Sequence, residues 1–197
     1  MTNRRRARPA ALASLASMAS LAALLLLLTA ACATPLETVR LDLDEGDRWV
    51  VGHAQDFGSG RGTIVEWIRP GDSIDDWEEL VTVQFLEGSP LSPERGVAAL
   101  EEDLRRRCPD VRWEILTEAL FAVTYEWSIS GCEGQDDQHE LARLLQGNEG
   151  LHRVAYTRKG PRLDAETRER WLERLTAAFV VYGEDQQPVI LGLEPEE

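Results

Sequence analysis

Phe121-Ala122-Val123-Thr124-Tyr125-Glu126-Trp127-Ser128-Ile129 decides the fold. Phe121, Val123, Tyr125, Trp127 and Ile129 are large and apolar, and small or polar residues separate them. A period of two places the five on one side of a β-strand. Working outward, Val111–Leu116 alternates around Trp113 in the same way. Glu140–Gln146 and Leu151–Thr157 flank Gly147-Asn148-Glu149-Gly150 and read as a hairpin, although Leu141, Leu144 and Leu145 also fit a helical period. Upstream, Leu80–Leu86 sets Val81, Val83 and Phe85 against Thr82 and Gln84. Gly62–Arg69 and Trp49–His53 are further strands, bounded by Pro70-Gly71-Asp72 and Gly58-Ser59-Gly60. An early strand is expected around Val39–Leu43, and Asp75–Glu79 fits one helical turn.

Two helices complete the pattern. The first opens at Ser92-Pro93-Glu94, where serine can cap, proline is pre-set for the first position and glutamate suits the positive end. Val97, Leu100, Leu104 and Cys108 give it one apolar face. Arg105, Arg106 and Arg107 suit its C-terminal end, and Pro109 stops it. The second runs from an Asp164 cap to about Phe179, with Trp171, Leu175 and Ala178 inward, and Val180–Tyr182 ends the core.

Strands joined in this order predict an α+β domain: one largely antiparallel sheet of about six to seven strands, with two main helices covering a face. The order, with the Trp171 helix ending in Ala-Ala-Phe, resembles the Mog1/PsbP-like fold over about Trp49–Val181. Asp76-Trp77-Glu78-Glu79-Leu80-Val81-Thr82-Val83-Gln84 is similar to uncharacterised exported bacterial lipoproteins. Neither resemblance brings a catalytic set. Members of the fold are mostly binding or assembly factors, which implies a binding role by analogy.

The first 32 residues read as an export signal. Arg4, Arg5, Arg6 and Arg8 precede the apolar run Leu21–Ala31, which is too short for the roughly 20 residues a spanning helix needs. Leu28-Thr29-Ala30-Ala31-Cys32 resembles the bacterial lipobox, with Thr29 where leucine is usual, and implies lipidation of Cys32. Ala31-Cys32-Ala33 is the rival A-x-A site, which would release a soluble chain starting at Thr34. Ala33, not aspartate, follows the cysteine; in a Gram-negative envelope lipoprotein sorting then implies the outer membrane, facing the periplasm. Residues 33–47 read as an acidic spacer, 48–182 as one domain and 183–197 as a flexible acidic tail.

Removing residues 1–32 leaves 17 basic and 35 acidic residues, a net charge of −18. So acidic a surface repels phosphate backbones and excludes nucleic acid as partner. Cys108 and Cys132 are expected to form a disulfide in an oxidising compartment. Asp136, Asp137, His139 and Glu140 offer ligands for a divalent cation, but are too close along the chain for all to converge. Asp42, Asp44, Glu45 and Asp47 lack the glycine placement of a calcium loop. His53, His139 and His152 lie in no hydrolase motif. Trp77, between Asp75-Asp76 and Glu78-Glu79, is an aromatic with an acidic rim, suited to a cationic or peptide partner or to plugging the end of the sheet. The sequence reading is an envelope lipoprotein held by its N-terminal lipid. It is a non-catalytic binding or assembly module for an envelope protein, with no catalytic residue, cofactor or metal. The alternatives are an envelope hydrolase with a dispersed site around His139 or His53, and a soluble secreted scaffold.

Overall fold

Alternating segments become strands throughout the computed structural model, which describes residues 36–43, 48–58, 61–183 and 189–191. All lie within the unit Pro35–Glu197. Four strands come first: β1 (Leu36–Asp42), β2 (Val50–Asp56), β3 (Thr63–Ile68) and β4 (Glu79–Glu87). Helix α1 (Pro93–Arg107) leads to β5 (Arg112–Ala119), β6 (Ala122–Ile129), β7 (Gln138–Gln146) and β8 (Gly150–Lys159). Helix α2 (Ala165–Ala177), β9 (Phe179–Gly183) and β10 (Val189–Leu191) follow. Seven strands form one antiparallel sheet in the order β2-β3-β4-β8-β7-β6-β5. The expected α+β class, with two helices and a large antiparallel sheet, is therefore present.

Three features differ from the sequence reading. A second sheet, β10-β1-β9, stands beside the large one. Its β1 covers the early strand expected around Val39–Leu43, with Val39 and Leu41 fully buried, and its β10 comes from the stretch read as a tail. The helices also lie on opposite faces. Register places Leu141, Leu145, Val154 and Tyr156 on the face against Trp171 of α2, and Ala142, Leu144, Leu151 and Ala155 on the face against Val97 of α1. The central strands β7 and β8 are thus buried on both sides along most of their length, polar residues such as Glu140 and His152 included. Finally, Asp75–Glu79 is no helical turn: Ser73 and Asp76 exchange backbone hydrogen bonds in a tight loop before β4.

Local chemistry sets both helices. The Ser92 hydroxyl accepts from Arg95 N–H, and the Asp164 carboxylate accepts from Thr167 N–H at 2.9 Å. Arg105, Arg106 and Arg107 pair back to Glu101, Glu102 and Asp103 one turn earlier. Helix α1 lies close on the sheet because of Gly96: a Cβ there would sit 2.6 Å from Leu144 Cδ2. Cys108, which caps α1, is at disulfide-bonding distance from Cys132 beyond β6, with Cα atoms 5.7 Å apart. Closing that loop contributes about 3–4 kcal/mol on a chain-entropy estimate. On the opposite face Trp171 stacks on Tyr156 at 4.1 Å and meets Trp49 edge-on at 6.0 Å, with Arg69 over the Trp49 ring. The edge strands β2 and β5 each carry a register shift, between Val51 and His53 and between Ile115 and Thr117.

Candidate functional site

A cleft of about 130 Å³ opens between α1 and the sheet. Register builds it from two rows across the strands. Trp113, Trp127, Glu140 and Thr157 face one another on β5, β6, β7 and β8; Ile115, Tyr125, Ala142 and Ala155 form the next row. Ala142 and Ala155 are small, so the long side chain of Arg153 lies across them. Arg153 Nη2 reaches Glu140 Oε1 at 2.6 Å, and its Nε donates to the Tyr125 hydroxyl at 3.1 Å. Glu140 also accepts from Trp127 Nε1 at 2.8 Å and from Thr157 Oγ1 at 3.0 Å. Trp113 stacks on Tyr125 at 5.0 Å, and Leu100, Leu104 and Arg107 of α1 form the far wall.

The electrostatics make this a donor site. Burial opposes the charge of Arg153, but Glu140 and the Tyr125 hydroxyl outweigh it and hold the guanidinium above its ordinary value. Burial pushes the Tyr125 phenol up to about 12, so it stays protonated. Arg153 Nη1 has no hydrogen-bond partner among the described residues, and the side chain is 16% exposed. A carboxylate or carbonyl oxygen entering the cleft beside Trp113 and Trp127 would meet a fixed guanidinium N–H. Such an aromatic–arginine pocket suits recognition.

The sequence-predicted residues are placed elsewhere. His139 and Glu140 are neighbours on β7, so alternation sends them to opposite faces. His139 Nδ1 accepts from Leu163 N–H at 3.1 Å, so in the neutral ring Nε2 carries the proton and donates to Glu126 at 2.6 Å. Neither nitrogen is left for a substrate or metal. Asp137 holds the turn after β6 through Ser130 Oγ and Gly131 N, and Asp136 pairs with Lys159. No group of three or more His, Cys, Asp or Glu residues among those described could hold a metal ion. His152 is fully buried, stacked on Phe85 and bonded to Glu37; burial pushes its pKa down against the pull of that carboxylate. His53 is half-exposed on the edge strand β2. Trp77 is half-buried at the opposite end of β4, with Lys159 Nζ 5.6 Å from its ring centre. Cys32, Asp44, Glu45 and Asp47 lie outside the described residues. A wider opening of about 340 Å³ beside Asp110, Arg112 and Arg162 is rimmed by exposed charges.

Compared with known proteins, the chain matches no protein-family model, no curated protein and no solved structure.

The pair below α2 has a measurable signature. Burial raises the Glu126 carboxyl, but hydrogen bonds from His139 and Arg168 outweigh it and hold its pKa at about 2 instead of 4.5. A carboxyl depressed on folding stabilises the native state above its unfolded pKa and loses that stabilisation as pH falls through the folded one. Denaturation midpoints should therefore decline between pH 4.5 and about 2, and Glu126→Gln should flatten that decline. An unchanged slope in the variant would remove Glu126 from the account.

Proposed function

We propose that this chain is an envelope-anchored lipoprotein, tethered through Cys32, whose globular part is a non-catalytic binding or assembly module. Arg153 carries the binding half of this reading: it is pinned by Glu140 and Tyr125, keeps the N–H groups of Nη1 open, and shares a cleft of side-chain size with Trp113 and Trp127. An envelope protein presenting an acidic or carbonyl-bearing side chain beside an apolar one fits that chemistry. The N-terminal pattern of basic residues, apolar run and Cys32 supports the tether. In a Gram-negative cell the same pattern supports the outer membrane, facing the periplasm. The antiparallel sheet with two helices is compatible with a Mog1/PsbP-like relationship, which supports a binding role by analogy. Both ring nitrogens of His139 are occupied, which argues against the hydrolase reading at that residue.

A photoreactive amino acid at position 100 of the full chain, in its native envelope, tests the cleft. Leu100 is 39% exposed on the cleft wall, so the probe leaves the core intact. A discrete adduct is expected at position 100 and none at Glu169, an exposed position on α2. Leu100→Glu, assayed with the probe on the identified partner, should reduce capture about tenfold while changing stability by less than about 0.5 kcal/mol. Equal labelling at positions 100 and 169 would dismiss the cleft as the contact.

A further inference from the structure

Eight large hydrophobic side chains are exposed among the described residues, and four of them gather at one end of the domain. Leu120 and Phe121 form the two-residue tip between β5 and β6, and are 82% and 63% exposed. Turns this short favour glycine, asparagine and aspartate, so an apolar pair at the tip needs another explanation. Gln146 N–H donates to Phe121 O, which fixes the tip beside the β7–β8 turn. Glu149 O in that turn accepts from Gly88 N–H, bringing the loop that carries Leu91 to the same end. Asn148 and Glu149 N–H donate to Glu37, whose register partner on β9 is the half-exposed Tyr182.

The chain enters the fold at this same end. Leu36, paired with Gly183, is the first described residue and follows Cys32 by four positions. Four residues span at most about 14 Å. A lipid on Cys32 would therefore hold this end of the domain, and no other, against the membrane.

We propose that this end contacts the bilayer directly, with Leu120 and Phe121 entering the interfacial layer and Leu91 and Tyr182 at its margin. The inference rests on the tether proposed above. An aliphatic and aromatic tip with a tyrosine alongside matches the composition that settles at headgroup depth. Glu118 and Glu149 flank the patch, so the contact should favour zwitterionic over anionic headgroups. In this orientation the α1 cleft stays clear of the lipid, because it opens on a face of the sheet and not at its end.

The test uses the mature protein purified from its native envelope and placed in phosphatidylethanolamine–phosphatidylglycerol vesicles carrying a photoreactive acyl chain. Peptide masses report Cys32 acylation and lipid labelling together. Acylated Cys32 with labelling concentrated on the Leu120–Phe121 peptide, about tenfold above the Asp72–Trp77 loop at the far end, is the expected result. Leu120→Ser/Phe121→Ser should bring tip labelling down to the far-end level with an unchanged melting temperature, since both side chains are exposed. Acylated Cys32 with tip and far-end labelling equal would overturn the contact and leave the tether standing. Unmodified Cys32 would overturn the tether and this inference with it.

Discussion

Glu37→Ala should destabilise the protein by about 3–5 kcal/mol, because it leaves three buried donors without their acceptor, and lower its melting temperature by on the order of 10 °C. The Glu37 side chain is 1% exposed and accepts from Asn148 N at 2.8 Å, Glu149 N at 2.9 Å and His152 Nε2 at 3.1 Å. It is the clasp between the small sheet and the β7–β8 hairpin. Gly147 makes room for it, because a Cβ there would lie 2.2 Å from Glu37 Oε1. Removing the carboxylate strands three donors at once. Glu37→Gln keeps an acceptor oxygen and should lose roughly half as much. Guanidinium denaturation of the three proteins measures this directly, and a loss below about 1 kcal/mol for the alanine variant would show that the clasp contributes little.

Arg153→Met should cost a similar amount for a different reason. It leaves Glu140, 6% exposed, facing its tryptophan and threonine without a counter-charge. A buried carboxylate without its cation is far worse than no charge at all. Glu140→Met alone should also destabilise, by stranding the guanidinium. The double variant Arg153→Met/Glu140→Met should recover to within about 1–2 kcal/mol of the parent, because the pair's attraction barely exceeds its desolvation. Additive losses in that cycle would mean that the two side chains act independently. If the double variant is folded but no longer captured by the partner of the Leu100 probe, the pair serves recognition more than stability.

These two sites also show where sequence legibility stops. Strand alternation, the Ser92 and Asp164 caps and the cysteine pair are local signals, and the elements they mark are present. Glu37 was hidden because a glutamate in an acidic run is expected in water, and nothing within β1 shows that the β7–β8 turn will close over it. The cleft was hidden by register. Trp113 and Trp127 sit on alternating strands and so read as core; only pairing across four strands sets them beside Glu140 and leaves the Ala142–Ala155 gap that Arg153 fills. Phe121 shares the parity of Val123 and Tyr125, yet the strand begins one residue later, so it becomes a tip. Asp136, Asp137, His139 and Glu140, read as too close along the chain for all to converge, are indeed not gathered: alternation sends His139 and Glu140 to opposite faces of β7.

The register shifts in β2 and β5 matter beyond local geometry. These are the two open margins of the large sheet, where unpaired backbone groups could recruit a strand from another molecule. Each shift bends its strand and interrupts the regular ladder, and Glu114 and Glu118 on β5 add charge to that margin. A protein concentrated on a two-dimensional surface meets its own copies far more often than one in free solution. Were the chain held on a membrane by the proposed tether, these irregular, charged margins would keep crowded copies from pairing edge to edge.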